Sequence, residues 1–372
     1  LSIRRQRQMC IRDRFNPQAF GKYVERVPNP KKKELAKSGA IGSNEQAREA
    51  LSSQTGSLYC RVPYYGTISG KTSQNNTGAT DIVSSNTTTF EQGFIVASRM
   101  DGWTERSFSK NITAGVDFMN NVAEQIADYK LDVQQDIILA ILKGIYSMST
   151  SGSTVAAKAA KTFIDKHTYD ITANEGEDAY VGAKTLNSAM QKACGDNKDI
   201  FKLVIMDSTI ATNLENLQLL KYFTYTDKDG LTRELALGSW NGRAVLVDDG
   251  MPTEDIPAVK ADESKNIKAA DAYTKHTSYV LGLGSIICDD IGDSVPYEMS
   301  RDPKTNGGQD TLYTRDRYIC GVDGISFEKP ASLTASASND DLSNGANWCI
   351  INDGTEAIAD KAIAITRIIS KG

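Results

Sequence analysis

Residues 87–108 read TTTFEQGFIVASRMDGWTERSF. The first half of this stretch is rich in β-branched and aromatic residues, which predicts a strand over 87–98. We expect this strand to return from a long excursion, residues 57–109, that forms a two-stranded β-ribbon. An isolated ribbon is only marginally stable in water. It therefore needs a surface to lie on, and a neighbouring subunit is the natural candidate.

The outgoing strand of the ribbon has a period of two. Leu58, Cys60, Val62 and Tyr64 alternate with residues that point to the other face. The run SGKTSQNNTGATD (69–81) follows, and its small polar residues are typical of a mobile loop tip. The ribbon is therefore predicted to end in a polar tip.

The strongest helical pattern in the chain covers residues 113–146. Thr113 is a suitable N-cap, and Asp117 suits the positive end of the helix dipole. At 1.5 Å per residue this helix would be roughly 50 Å long, which suggests a backbone strut, although an ordinary core helix fits the same pattern. The apolar stripe consists of Met119, Val122, Ile126, Tyr129, Val133, Ile137, Ala140 and Ile145.

Helix and strand patterns alternate over residues 181–252. Asp207 or Ser208 is the expected N-cap of the second helix. The alternation is typical of an α/β lobe. The predicted elements are a helix over Val181–Ala193, a buried strand at Phe201–Met206, a helix from Ser208 to Phe223 and a buried strand at Ala244–Val247.

The remaining segments are less regular. Residues 15–56 are polar and rich in Lys and Glu, and we interpret them as an arm, with a disordered tail as the alternative. Further along the chain we expect a charged loop over 253–270, strands at Ser278–Cys288 and Arg315–Phe327, and a small β-rich tail from Trp348 to Ile369.

The first 14 residues, LSIRRQRQMCIRDR, differ from the rest of the chain. They are basic and have no apolar periodicity, and the string resembles translated sequencing-adapter sequence. A signal peptide is the rival interpretation, but neither an apolar core region nor a small-residue cleavage site follows. We therefore expect residues 1–14 to be a sequencing artefact, which would leave a more acidic protein.

The composition argues against two kinds of partner. The chain contains no run of about 18 apolar residues, so the sequence predicts no membrane-spanning helix. The formal net charge is −5, and an acidic chain does not attract DNA through its overall field. The basic run Lys31–Lys33 is interpreted as a solvated stretch, with a DNA-facing role as the alternative.

Cysteine and histidine give little support for a metal or redox centre. The two histidines, His167 and His276, each lie far in sequence from other ligand residues, and the cysteines form no CxxC pair. This spacing is typical of free thiols in a reducing compartment. The six cysteines are Cys10, Cys60, Cys194, Cys288, Cys320 and Cys349.

Three fragments imitate known motifs and fail on spacing. Gly66–Thr72 has three residues between its glycines, whereas a phosphate loop needs four. Val245–Asp249 imitates a magnesium-binding strand end, but short apolar strands that end in Asp are common. In Asp227–Gly230, a calcium-loop frame would place Tyr225 and Ala236 at ligand positions, and neither is a carboxylate. We expect no enzyme activity, no catalytic, cofactor-binding or metal-binding residues, and no cofactor.

Four stretches in order resemble the tailed-bacteriophage major capsid protein family. TTTFEQGFIVASRMDGWTERSF looks like the returning strand of that family's extended loop, and KHTYDIT (166–172) like a segment after its long helix. SWNGRAVLVDDGMP (239–252) is similar to a strand and turn of the axial lobe. SLTASASNDDLSNGANW (332–348), followed by IAITRIISKG, resembles the C-terminal segment.

The resemblance implies an α+β, Hong Kong-97-type capsid fold with an N-terminal arm, an extended β-ribbon loop, a long spine helix, a peripheral lobe and an α/β axial lobe. The implied division is an N-terminal arm (15–56), an extended β-loop (57–109), the spine helix and peripheral domain (110–180), the axial domain (181–285), the peripheral return strands (286–331) and a C-terminal β-rich segment (332–372).

The resemblance also implies a function. Such subunits self-assemble into pentamers and hexamers of an icosahedral phage head that encloses double-stranded DNA without sequence-specific contacts. The implied partners are copies of the chain itself, a scaffolding protein and a portal, with no membrane. The place of action would be the virion head, assembled in the bacterial host cytoplasm.

Two other functions are compatible with the sequence. An encapsulin-like nanocompartment shell would share the fold, and a surface adhesin would use the Thr-rich and Ser-rich ribbon. Some relatives cross-link Lys to Asn between subunits. Lys71, near the ribbon tip, is a candidate for that role, although a solvated loop lysine is the simpler interpretation.

Overall fold

The computed structural model describes residues 38–52, 57–66, 73–79, 81–82, 88–106, 118–226, 232–258 and 271–371. The helices are α1 (Glu45–Ser52), α2 (Phe118–Tyr146), α3 (Val155–Lys166), α4 (Thr185–Cys194), α5 (Ser208–Asn216) and α6 (Asn339–Ser343). The strands are β1 (Ile41–Gly42), β2 (Tyr59–Tyr65), β3 (Thr89–Arg106), β4 (Thr168–Asp170), β5 (Phe201–Met206), β6 (Leu220–Thr226), β7 (Thr232–Trp240), β8 (Arg243–Val247), β9 (Thr253–Ile256), β10 (Tyr273–Gly282), β11 (Ile286–Asp290), β12 (Tyr297–Asp302), β13 (Gln309–Val322), β14 (Ile325–Phe327), β15 (Trp348–Ile350) and β16 (Ile365–Ser370). This mixture confirms the predicted α+β class.

The first sheet is organised around two long strands. β3, at 18 residues, spans about 60 Å at the usual rise of a strand. It pairs antiparallel with β13 from Ile95 to Arg106, and its first half pairs with β2. The order of the sheet is β1-β11-β13-β14-β15, and β12, β3 and β2 lie off this path. The predicted two-stranded ribbon is therefore present as β2 and β3, and its returning strand continues into this sheet.

The second sheet has the order β4-β16-β10-β5-β8-β7-β6, with β9 paired to β10. Its central strands β5 and β8 are parallel and are joined through α5 and the β6–β7 hairpin. The apolar run Phe201–Met206 forms β5 over the predicted residues, because both faces of a central strand are covered. β4 and β16 also belong to this sheet, although they fall outside the predicted axial range. The predicted unit boundaries stay a prediction.

Helix α2 connects the two sheets. Its 29 residues span about 43 Å. Ile137, Ile141, Leu142 and Ile145 are fully buried. They lie in one apolar cluster that takes side chains from β5 and β10 of the second sheet and from β11 and β13 of the first. The proposed N-cap Thr113 and Asp117 lie outside the described residues. Ile137 and Ile145 of the predicted apolar stripe thus lie in the seam along which both sheets pack, whereas Tyr129 of that stripe is 41 % exposed.

The helix predicted from Ser208 to Phe223 is wrong in its second half. Helix α5 ends at Asn216, and Gln218 adopts a positive φ of 57°. Residues 220–226 then form β6, which pairs with β7. The stretch YFTYT is aromatic and β-branched, and such residues favour a strand. Leucines at helical spacing just before it hid this signal. Asp207 is the N-cap residue, as expected.

The single strand predicted at Ser278–Cys288 is also wrong. It is divided between β10 in the second sheet and β11 in the first, and the chain turns at Gly284, whose φ is +63°. A continuous apolar run concealed this change of sheet. The charged loop predicted over 253–270 begins instead with β9, which pairs with β10. Residues 259–270 lie outside the described residues.

Candidate assembly surface

One end of the first sheet projects as three strands. The two faces of this end differ in how far they are exposed to solvent. The strands are β12, the first half of β13 and the second half of β3. From Arg99 onward, half-buried and exposed residues alternate along β3. One face of this end is therefore solvated. We call it the open face; its residues are Met100, Gly102, Thr104 and Arg106 on β3, Thr311, Tyr313 and Arg315 on β13, and Glu298 and Ser300 on β12.

The opposite face of this end is covered by helix α2. The ring of Trp103 lies edge-on to Tyr129, with centroids 5.7 Å apart. The hydroxyl of Tyr129 donates a hydrogen bond to Asp101 at 3.1 Å. These contacts hold the projecting strands against α2, the helix that corresponds to the predicted spine helix. The open face is thereby presented on a supported sheet.

A buried ion pair fixes the same junction. Lys130 of α2 lies 2.5 Å from Asp316 Oδ1 and donates to the hydroxyl of Tyr297 at 2.8 Å. Burial alone lowers the pKa of Lys130, but the Asp316 carboxylate and Tyr297 raise the pKa above its ordinary value overall. Lys130 is therefore held as a cation beneath the sheet.

The open face carries side chains that are typical of protein interfaces. Met100 is 83 % exposed and Tyr313 40 % exposed. Arg315 lies 3.2 Å from Glu298, and both side chains are largely exposed, so this pair contributes little to stability. Methionine, tyrosine and arginine are enriched where proteins associate. An exposed methionine on a supported sheet contributes nothing to the core of its own chain.

Within the described residues, the projecting end also has two sheet edges that no strand covers. No described strand pairs with the outer edge of Arg99–Thr104 or with the outer edge of Glu298–Asp302. In the same part of the chain, strand β2 pairs with β3 alone and contains Pro63, which is tolerated on an edge strand. Unpaired edges promote association unless they are covered. Strand addition by another chain would cover them.

The residues of the open face carry no recognisable signal in the sequence. The alternation MDGWTER lay within the stretch that predicted the ribbon, but the sequence does not tell which of its two faces is covered. The face is formed by residues that are distant in sequence. The hydroxyls of Thr104 and Thr311 lie 3.0 Å apart, although 207 residues separate them along the chain.

The two histidines of the chain have different partners in the fold. His167 is fully buried, and its Nδ1 donates to the carbonyl of Ile365 at 2.6 Å. Burial lowers the pKa of His167, so the ring is neutral. His276 Nδ1 lies 2.8 Å from Asp207 Oδ2. In the described part of the chain, no group of three or more His, Cys, Asp and Glu residues is arranged to hold a metal ion.

The motif-like fragments have structural roles where they are described. Asp248 accepts a hydrogen bond from the Gly250 amide at 2.8 Å and one from Gln135 at 3.3 Å, which makes it a turn residue. Lys71 and the Asp227–Gly230 segment lie outside the described residues, as do Lys31–Lys33. Within the part that the structure describes, no helix is long and apolar enough to cross a membrane.

A supported open face beside unpaired sheet edges is typical of subunits that act by associating with other chains. The chain is 21 % identical over 351 residues to the major capsid protein of Bacillus phage SPP1, and the match covers 92 % of this chain and 94 % of that protein. This full-length similarity confirms the predicted resemblance to tailed-phage major capsid proteins. No protein-family model matches the chain.

Solved capsid structures are also similar to this chain. The capsid of Ralstonia phage GP4 has a TM-score of 0.49 at 10 % identity and covers 85 % of this chain and 84 % of that one. The acidic stable capsid structure of Helicobacter pylori bacteriophage KHP30 has a TM-score of 0.44 at 11 % identity and covers 86 % and 85 %.

Proposed function

We propose that this chain is the major capsid protein of a tailed bacteriophage, a structural subunit of the phage head. The observation that carries the proposal is the full-length similarity to the capsid protein of Bacillus phage SPP1. The open face and the two unpaired edges support it, because an unassembled chain leaves them exposed to solvent.

In this function the subunits form pentamers and hexamers that close into an icosahedral shell around double-stranded DNA. Closed symmetry limits the growth of such an assembly. A scaffolding protein and a portal would take part, and assembly would occur in the cytoplasm of the bacterial host. The protein needs no catalytic residue for this role, since enclosure of DNA requires only an inner surface.

The divisions drawn from the sequence fit this role. Residues 57–109 would form the extended loop that lies over a neighbour, residues 15–56 an arm, residues 110–180 with 286–331 the peripheral lobe and residues 181–285 the axial lobe. No observation favours the encapsulin-like shell over the phage capsid.

The open face provides the sharpest test of this function by substitution. Met100→Asp places a charge on the open face, while Met100→Leu keeps an apolar side chain of similar size. Because Met100 is exposed in the single chain, both variants are expected to fold with stability within about 0.5 kcal/mol of the parent.

Assembly is then followed by sedimentation of the purified proteins. We expect particles from the parent chain and from Met100→Leu, and at least a tenfold loss of particles from Met100→Asp. Equal yields of particles from both variants would remove the open face from the assembly interface.

A further inference from the structure

Two cysteines lie opposite each other in the first sheet. Cys288 on β11 and Cys320 on β13 are direct partners in the antiparallel register. Both side chains are buried, at 1 % and 0 % exposure, and both are free thiols. Their 32-residue separation in sequence gave no sign of this pairing, which depends on the register of the two strands.

Backbone hydrogen bonds identify the type of this cross-strand pair. The amide of Ile291 donates to the carbonyl of Arg317 at 2.9 Å, and the amide of Asp323 donates to that of Ser285 at 3.0 Å. Both are pairs of directly opposed residues in the same ladder, three positions from Cys288. Since hydrogen-bonded and non-hydrogen-bonded pairs alternate, Cys288 and Cys320 form a non-hydrogen-bonded pair.

The pair type sets the distance between the two cysteines. Cα atoms of a non-hydrogen-bonded pair are about 4.5 Å apart. Disulfides span Cα separations of about 4.4–6.8 Å. The typical Cα separation of such a pair therefore falls within the range that an S–S bond spans.

We propose that Cys288 and Cys320 are a thiol–disulfide modification site whose co-substrate is a small disulfide such as oxidised glutathione. The thiolate of Cys288 attacks one sulfur of the small disulfide and releases one thiol. The thiolate of Cys320 then attacks the sulfur of Cys288 and releases the second thiol. The protein loses two electrons and two protons, and one small disulfide becomes two thiols.

The bond would close the base of the projecting sheet. The loop between the two cysteines contains β12 and most of β13, which carry half of the open face. Cross-linking restricts the unfolded chain and so favours the folded state. If the chain is a capsid subunit, as proposed above, the bond would form after the shell leaves the reducing cytoplasm and would strengthen it outside the cell.

Burial sets the rate of this reaction. Contact with the Cys320 thiol and burial raise the pKa of Cys288 well above its usual range, so thiolate is scarce in the folded chain. Exchange therefore proceeds when the strands open. A refolding experiment avoids this barrier, because both thiols are accessible before the sheet forms.

The test compares one preparation of the chain refolded in two buffers. One buffer contains oxidised and reduced glutathione, and the other contains only a reducing agent. Peptides are mapped by mass spectrometry without reduction, and thermal unfolding is followed on the unassembled chain. We expect a peptide that links Cys288 to Cys320, together with a melting temperature several degrees higher than in the reduced sample.

Two variants control for the other thiols. Cys194→Ala removes a buried cysteine of helix α4, which packs on the second sheet, and is expected to retain the link and the shift. Cys288→Ala is expected to lose both. Absence of the linked peptide from the refolded parent chain, or a lower melting temperature when it is linked, would overturn the proposal. Neither readout needs assembly, so failure of the capsid function would leave this result readable.

Discussion

The ammonium group of Lys130 lies 2.5 Å from the carboxylate of Asp316, beneath the projecting strands. Lys130 belongs to α2 and Asp316 to β13, so this contact joins the spine helix to the sheet that carries the open face. Removal of one partner of a buried ion pair leaves an uncompensated charge, which costs far more than an exposed pair contributes.

Asp316→Asn is therefore expected to lower the free energy of unfolding by about 3–5 kcal/mol, measured by urea denaturation. Glu298→Gln is the matched control, because Glu298 pairs with Arg315 on the exposed side of the same strands. That variant is expected to cost about 0–1 kcal/mol. Equal losses in the two variants would show that burial of the Lys130 pair is unimportant.

Gly144 allows α2 to pack closely against the C-terminal segment. A Cβ at this position would lie 2.1 Å from the carbonyl oxygen of Leu342 and 2.5 Å from Nε1 of Trp348. That indole donates to the same carbonyl at 2.7 Å. The glycine thus makes room for a buried hydrogen bond between side chain and backbone.

Gly144→Ala is expected to destabilise the protein by about 1–3 kcal/mol, although alanine would favour an isolated helix by about 0.5–1 kcal/mol. Gly182→Ala is the control, since a Cβ there meets no atom within 4 Å. Both variants are compared by thermal unfolding. Stabilisation by Gly144→Ala would contradict the packing described at this site.

His167 predicts a dependence of stability on pH. Its Nδ1 donates to the carbonyl of Ile365, and its Nε2 is buried. Burial lowers the pKa of His167 below 6.5 in the folded chain. The unfolded state therefore binds more protons below pH 6.5, and stability falls as the pH falls through this range.

The groups around His167 do not reverse this sign. Lys166 and Asp360 form an ion pair at 2.9 Å beside the ring, and Tyr146 donates to the His167 carbonyl. Between pH 7.5 and pH 5.5 we expect the parent to lose more stability than His167→Gln, by at most about 1.4 kcal/mol, measured by urea denaturation at each pH. An identical pH dependence in the two proteins would exclude His167 as the source.

The fold was predictable where local pattern and tertiary environment agree. Phe201–Met206 is apolar on both faces and forms a central strand, as expected. The stripe Ile137–Ile145 predicted α2, because one helix face is covered along that length. Leu220–Phe223 was wrongly predicted as helix, since leucines at helical spacing precede it and pairing with β7 decides its conformation.

The candidate surface was less predictable, because it depends on contacts between distant residues. Met100 is exposed only because β3 places it opposite Arg315, on the face that α2 does not cover. Cys288 and Cys320 are neighbours only through the register of β11 and β13. The sequence of a strand alone does not tell which of its two faces is covered.

The capsid function is tested most directly by expressing the chain in bacteria, alone and together with the scaffolding protein of its own phage, and imaging the purified material by negative-stain electron microscopy. We predict pentamers, hexamers, tubes or closed shells. A monomer at high concentration in both preparations, with no larger assembly, would contradict the capsid function.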